Sequence, residues 1–90
     1  MTGRRTKMDI VFDMLQAIQD KGGYILPTHL LYKSNLSYGR LKQYVDELKI
    51  KALVAESERK GKKVFVLTEQ GAKFLANYRQ LREFTDAFGL

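Results

Sequence analysis

The chain has no cysteine and no tryptophan, and only one proline and one histidine among its 90 residues. Without cysteine it can form neither a disulfide nor a thiolate metal site, a pattern that fits an intracellular protein. A lone histidine, His29, has no second histidine or cysteine with which to complete a metal site. We therefore expect no metal, no cofactor and no enzymatic activity, and we interpret His29 as a surface or helix-end residue.

Long apolar runs are also missing. The longest is about four residues, whereas a membrane-spanning helix needs roughly 20. The N-terminus shows no apolar segment of the kind that a secretory signal contains. The chain also has no low-complexity tract, so disorder is expected at most in the first few residues, and residues 1–5 are interpreted as a solvated polar arm. We expect a folded cytoplasmic protein with no membrane partner.

Positive charge, in contrast, is abundant. Lysine and arginine number 16 against 10 aspartates and glutamates, which gives a net charge of +6 and an isoelectric point of about 9.7. Hydrophobic residues make up 44% of the chain, enough for the core of one small domain. A basic balance on such a domain favours polyanionic partners, and nucleic acid first among them.

The segment from Thr28 to Val54 indicates two helices joined by a tight turn. The first is expected over 28–33, after Pro27, and the turn over 34–36. Ser37 is suited to cap the second helix, which is expected to end near Ile50. Apolar residues of this second helix recur at offsets of three, four and seven and therefore share one face: Leu41, Tyr44, Val45 and Leu48. The pattern is that of a helix-turn-helix, whose second helix can enter a DNA major groove.

The opposite face of the second helix carries the polar residues. Gly39 in its first turn costs roughly 1 kcal/mol of helix propensity relative to alanine. Two explanations stay open for this glycine, close approach of DNA and packing against the preceding helix. Asp46 and Glu47 indicate that only the N-terminal half of this helix lies close to DNA, because carboxylates and phosphates repel each other.

A basic hairpin is expected after the two helices. Strands are predicted over 53–58 and 64–67, and the turn between them, 59–63, has four cations in five residues. A hairpin at this position is a wing, and its cations can hold phosphates or enter the minor groove. Upstream, a helix capped by Thr6 and ended by Gly22-Gly23 and a short extended segment over 24–26 supply the core.

The last helix, with Thr68 as its expected cap, should run to about Phe88, some 30 Å at 1.5 Å per residue. Its later part carries a stripe of residues at alternating steps of four and three, with Phe84 adjacent: Phe74, Tyr78, Leu81, Thr85 and Phe88. A helix this long outreaches a domain of this size, so we predict a homodimer through these six side chains. We accordingly divide the chain into a DNA-binding domain, 1–77, and the distal dimerisation helix, 78–90. The alternative is that the helix end folds back on the first helix of its own chain.

Three stretches carry a family resemblance. THLLYKSNLSYGRLKQYVDEL and ALVAESERKGKKVFVLTEQGAKFL are similar to the motif helices, and to the strand, wing and strand, of the archaeal winged helix-turn-helix family of small transcriptional regulators. LANYRQLREFTDAFGL resembles the dimerising helix of the archaeal ten-kilodalton winged-helix chromatin proteins. The resemblance implies a winged-helix homodimer that binds double-stranded DNA.

The sequence thus predicts a mainly α fold with a small β-hairpin (α+β), a winged helix-turn-helix with a long C-terminal helix. The leading function is a nucleoid-associated transcriptional regulator; the alternatives are a general chromatin-type DNA-binding protein and a protein-interaction module. In the major groove an arginine suits guanine and a glutamine suits adenine, while hydroxyls and helix N-termini suit phosphates. The predicted DNA-contacting residues are Thr28, Ser37, Tyr38, Arg40, Lys42, Gln43, Arg59, Lys60, Lys62 and Lys63.

Overall fold

The computed structural model describes residues 5–89. Helices dominate it, and a small sheet takes one strand from between the first two helices and two strands from between the last two. The elements are α1 (Lys7–Asp20), β1 (Tyr24–Ile25), α2 (Pro27–Ser34), α3 (Tyr38–Ile50), β2 (Val54–Arg59), β3 (Lys62–Leu67) and α4 (Glu69–Ala87). The predicted class, a winged helix-turn-helix with a long C-terminal helix, is confirmed.

Side-chain caps fix where three of the helices begin. The Thr6 hydroxyl accepts a hydrogen bond from the Asp9 amide, and the Asp9 carboxylate accepts one from the Thr6 amide, both at 3.1 Å. Ser37 caps α3 by accepting from a first-turn amide at 3.3 Å. The Thr68 hydroxyl caps α4 and also donates to the Ala52 carbonyl at 2.6 Å. Each cap satisfies a helix-end amide that would otherwise lack a partner.

The turn between α2 and α3 is fastened to α1. Asn35 ends α2 by adopting a left-handed conformation, with φ of 56°, which asparagine tolerates better than most residues. The Arg5 guanidinium donates to the Ser34 carbonyl at 2.8 Å and forms an ion pair with Asp13 at 3.0 Å. Arg5 therefore belongs to the folded domain and not to the solvated arm we expected; residues 1–4 of that arm lie outside the described part of the chain.

The sheet has three antiparallel strands in the order β1-β3-β2, where the sequence had predicted a hairpin alone. The extended segment at Tyr24–Ile25 pairs with Val66 and Phe65 of β3. Two residues of β-propensity are too few to register as a strand by periodicity, and the pairing depends on contacts distant in sequence. The third strand anchors the base of the hairpin to the domain.

The hairpin turn is tighter than predicted. It consists of Lys60 and Gly61, both with positive φ (53° and 76°), as a two-residue primed turn requires. Arg59 and Lys62, expected in a five-residue loop, are instead the last cross-strand pair of β2 and β3. The strands are therefore longer and the wing stiffer than the run of cations indicated.

The core forms around α1. Five large side chains are fully buried, and they come from three different helices: Met14, Leu15, Ile18, Leu30 and Leu75. Each buried side chain of this size contributes roughly 1.5–3 kcal/mol through the hydrophobic effect. The residues that α3 presents to this core, Leu41, Val45 and Leu48, are also buried, as their spacing predicted.

Gly71, in the first turn of α4, meets the backbone of Leu53 directly before β2. A Cβ atom added there would lie 2.1 Å from the Leu53 carbonyl oxygen and 2.7 Å from a methyl of Leu67. The same carbonyl accepts the Thr68 amide at 3.2 Å, so it cannot move without releasing that hydrogen bond. Only glycine therefore allows α4 to start so close to the sheet.

We predict that Gly71→Ala destabilises the domain by about 3 kcal/mol, at the upper end of overpacking costs. Thermal unfolding followed by circular dichroism measures this, and a loss of that size lowers the midpoint by roughly 12–24 °C in a domain of this length. The matched control is Gly39→Ala, where no described atom lies within 4 Å of the added Cβ. That variant should keep or gain stability, by up to about 1 kcal/mol. Equal midpoints for the two variants would contradict the close approach at Gly71.

Candidate nucleic-acid interface

The N-terminal half of α3 presents a polar surface to solvent. Its predicted DNA-contacting residues, Ser37, Tyr38, Arg40, Lys42 and Gln43, are all exposed, and Tyr38 is exposed to 72%. Thr28, at the start of α2, is exposed as well. Because the apolar face of α3 is buried in the core, these side chains cannot turn inward. The surface is available to a partner without any change in the fold.

Gly39 lies in the middle of this surface. Among the described residues no atom comes within 4 Å of the position that a Cβ would take there. Packing against the preceding helix, one of the two explanations left open by the sequence, is therefore not what this glycine serves. Close approach of an external backbone remains, and a glycine in the first turn of α3 gives a partner direct access to the amides of the helix N-terminus.

The basic hairpin holds its cations in defined positions. The Arg59 guanidinium lies 4.2 Å from the centroid of the Tyr24 ring, a close cation–π contact with β1. The Lys63 ammonium is 5.5 Å from the Phe65 centroid. Lys60 occupies the turn and Lys62 the first position of β3, and both are exposed. The four cations predicted for the wing are thus presented on a short, supported hairpin.

The hairpin and α3 are joined by an ion pair. The Lys49 ammonium donates to the Glu56 carboxylate at 2.6 Å, and Lys63 lies 3.6 Å from the same oxygen. This hydrogen bond lowers the pKa of Glu56 and raises the pKa of Lys49. No local pattern in the sequence marks this pair, because a helix end and a strand meet here only after folding.

A second ion pair joins α1 to α3. Lys7 donates to Glu47 at 2.6 Å, which lowers the pKa of Glu47 and raises that of Lys7. On α1 itself, the Thr6 amide donates to Asp9 and lowers its pKa. Asp9 also faces α4, with the Arg82 guanidinium 3.8 Å away and the Tyr78 hydroxyl at 3.4 Å. These carboxylates fasten α3 and α4 to α1.

The structure divides the six predicted dimer residues into two groups. Phe74 is half-buried against the core, and the Tyr78 ring lies 5.1 Å from that of Phe12 on α1, so the helix does fold onto its own domain this far. Thr85 is half-buried and its hydroxyl donates to carbonyls of its own helix. Three large apolar side chains of the last turns remain exposed, to between 57% and 67%: Leu81, Phe84 and Phe88.

The exposed group forms a stripe along the last turns of α4. Phe84 and Phe88 contact each other, with ring centroids 4.9 Å apart. At 100° per residue, Leu81 and Phe88 lie within about 20° of each other around the helix axis, whereas Leu75 of the core lies about 120° away. The distal α4 stripe, meaning Leu81, Phe84 and Phe88, therefore lies apart from Leu75 but nearly in line with Phe74, and it is exposed in the last turns of the helix.

Residues 5–89 offer neither a metal site nor a membrane-spanning helix. No group of three histidines, aspartates or glutamates is close enough there to hold a metal ion. In the same part of the chain, no helix combines the length and the apolar character that crossing a membrane demands.

Comparison with known proteins assigns the family. The winged helix-turn-helix family model matches residues 4–86, nearly the whole chain, so this protein belongs to the winged helix-turn-helix family. Among individual proteins, it is 26% identical over 84 residues to an uncharacterised protein of Methanocaldococcus jannaschii, a match that covers 93% of this chain and 80% of the relative. The family predicted from the motif stretches is confirmed.

Solved structures share the fold at lower identity. Sso10a-2, a DNA-binding protein from Sulfolobus solfataricus, superposes with a TM-score of 0.78 at 19% identity, covering 93% of this chain and 85% of that one. F93 from STIV, a winged-helix DNA-binding protein, gives 0.69 at 23% identity over 91% of each chain. A MarR family protein from Bacillus stearothermophilus gives 0.80 at 22% identity over 96% of this chain but 59% of its own.

The lowered carboxylate pKa values predict how stability depends on pH. A carboxylate whose native pKa is lowered binds fewer protons folded than unfolded, so its stabilisation is complete above its ordinary pKa and is lost as pH falls through the native value. Asp9, Glu47 and Glu56 all have lowered pKa values. We expect the unfolding midpoint to hold above about pH 5 and to fall steadily towards about pH 3.

Scanning calorimetry across that range tests the expectation. A variant with Asp9→Asn, Glu47→Gln and Glu56→Gln should start with a lower midpoint at pH 7 and lose less of it on acidification. Glu58→Gln is the matched control, because Glu58 makes no ion pair within residues 5–89. A triple variant as steeply pH-dependent as the control would show that these three groups do not set the profile.

Proposed function

We propose that this protein is a homodimeric double-stranded DNA-binding protein of the transcriptional-regulator kind. The observation that carries the proposal is the placement of the α3 surface beside the basic hairpin: Tyr38 and Lys42 of α3 line one cleft with Lys63 and Phe65 of β3. A helix and a hairpin side by side fit a major groove and the minor groove next to it. In this role the protein works in the cytoplasm, on the nucleoid.

The proposal assigns different tasks to the two elements. Arg40 and Gln43 of α3 read base edges, because their donors and acceptors match guanine and adenine in the major groove. The wing cations and the hydroxyls of Thr28 and Ser37 hold phosphates, which position the protein but carry no sequence information. Sso10a-2 and F93 are DNA-binding proteins, and their likeness to this chain, with that of a MarR family protein, supports this assignment at the level of the shared fold.

A protein-interaction role fits the charges less well. The net charge is +6, and the hairpin concentrates four cations on a supported tip. A protein partner for such a surface would need a matching acidic face, whereas any duplex offers phosphates at regular spacing. The remaining choice, between a sequence-selective regulator and a general chromatin-type protein, depends on whether α3 reads bases.

Salt-dependent binding to a random-sequence duplex is the experiment that tests the proposed function. Lys60→Ala with Lys62→Ala should lower the slope of log affinity against log salt by about 1.8, since each lost phosphate contact removes about 0.9. Lys51→Ala with Lys73→Ala, which removes the same charge from exposed sites on the far end of α3 and on α4, should leave the slope unchanged. Equal slopes for both pairs would remove the wing from the interface.

Selection of bound sequences from random duplexes at near-physiological salt then separates the regulator from the chromatin-type protein. A sharp consensus identifies a regulator, and Gln43→Ala should cost roughly 1–3 kcal/mol on the consensus and much less on random DNA. An equal loss on both would show that Gln43 only positions the backbone. Enrichment of no sequence would instead assign general binding.

The distal α4 stripe is proposed to pair with its copy about a two-fold axis, residues 1–77 forming the DNA-binding domain and 78–90 the distal part of the dimerisation helix. Two-fold pairing buries the stripe residues of both chains, and each large side chain contributes roughly 1.5–3 kcal/mol. Phe74, Tyr78 and Thr85 flank the stripe at the edge nearer the domain. Two linked α3 helices bind a two-part site more tightly than one, since the second contact is intramolecular.

We predict that Leu81→Asp with Phe84→Asp gives a folded monomer with much weaker DNA binding. Sedimentation at micromolar concentration should change from about twice the chain mass of 10.4 kDa to that mass itself. Ala76→Asp places a negative charge at an exposed position of the same helix, about 80° or more from every stripe residue, and should leave the dimer intact. A mass near 10.4 kDa for the unaltered protein would overturn the dimer.

A further inference from the structure

Two carboxylates lie in the cleft between α3 and the hairpin. Asp46 and Glu56 line it together with Lys42, Lys49 and Lys63. When a helix occupies a major groove and a hairpin tip lies at the adjacent minor groove, the phosphate strand between those grooves crosses the space between the two elements. Under the proposed function, this cleft therefore faces phosphates, and its carboxylates oppose them.

The lysines of the cleft already have partners inside the protein. One oxygen of Glu56 is 2.6 Å from the Lys49 ammonium and 3.6 Å from that of Lys63. Lys42 lies 3.5 Å from Asp46, one turn further along α3. The Glu56, Lys49 and Lys63 side chains are 39%, 35% and 58% exposed, so a phosphate can reach them. A phosphate contact made by Lys49 or Lys63 must then replace, or share, the ion pair with Glu56.

We infer that Glu56 is an affinity-limiting residue of the DNA interface. It holds Lys49 and Lys63 in an internal ion pair and places a negative charge beneath the phosphate strand. Its effect falls on the sequence-independent part of binding, because that part comes from phosphate contacts. Weak binding to arbitrary DNA leaves more of the discrimination to α3, since specificity is a difference between two affinities. This inference rests on the proposed function.

The test is Glu56→Gln, which removes the charge but keeps an oxygen that can accept a hydrogen bond from Lys49. Affinity for a random-sequence duplex is measured from low to high salt. We expect the log–log salt slope to steepen by about 0.9 for each lysine released, up to about 1.8. For each lysine released, the ratio of variant to unaltered affinity should therefore rise roughly eightfold when the salt concentration is lowered from about 1 M to about 0.1 M. A circular dichroism melt verifies that the variant is folded.

Glu58→Gln is the matched control for charge. It removes one negative charge from the same face of the same strand, at the position opposite Lys63, where no ion pair is formed within residues 5–89. We expect a small gain in affinity and an unchanged slope. In a Lys49→Ala background, the gain from Glu56→Gln should shrink, because one of the two lysines it releases is gone.

The outcomes separate the inference from the function on which it rests. A Glu56→Gln slope and affinity equal to those of Glu58→Gln would overturn the inference while leaving DNA binding in place. An undiminished effect of Glu56→Gln in the Lys49→Ala background would overturn it as well, since the ion pair would then be irrelevant. Failure of the unaltered protein to bind any duplex would overturn the proposed function itself.

Discussion

Burial of α1 is the constraint on which the rest of the domain depends. Met14, Leu15 and Ile18 are fully enclosed, and no other helix contributes as many such side chains among the described residues. Helices α2 and α4 and the sheet pack around α1, while Arg5, Lys7 and Asp9 at its start form polar ties to the α2–α3 turn, α3 and α4. The surface proposed to bind DNA is thus supported on its inner side by α1, and its side chains face solvent.

Much of this arrangement could be predicted from local sequence. Thr6, Ser37 and Thr68 cap the helices that they were expected to cap, because a hydroxyl before a helical run satisfies an amide whatever the surroundings. The buried face of α3 followed from the 3.6-residue period, since the residues that share a face are fixed by helix geometry alone. The exposed positions of the candidate DNA-contacting residues follow from the same geometry.

What could not be predicted depends on elements that meet only in the folded chain. The pairing of Tyr24–Ile25 with β3 joins segments about 40 residues apart, and two residues give no usable periodicity. The Lys49–Glu56 ion pair and the stacking of Arg59 on Tyr24 are likewise contacts between different elements. The spacing on α4 predicts one dimer stripe, but Phe74 and Tyr78 pack against their own domain. Sequence spacing alone does not separate the apolar residues that contact the domain from those that stay exposed.

The two hydrogen bonds of the Thr68 hydroxyl bear on the distance between the two α3 helices in a dimer. This hydroxyl caps α4 while donating to the Ala52 carbonyl just after α3, and Gly71 packs against the Leu53 carbonyl in the same segment. The start of α4 is therefore tied to the segment that follows α3 by two hydrogen bonds and a close backbone contact. In a dimer joined through α4, the distance between the two α3 helices becomes a property of how the helices cross. The separation of the two α3 helices would then be fixed, so the dimer would favour DNA sites of one spacing.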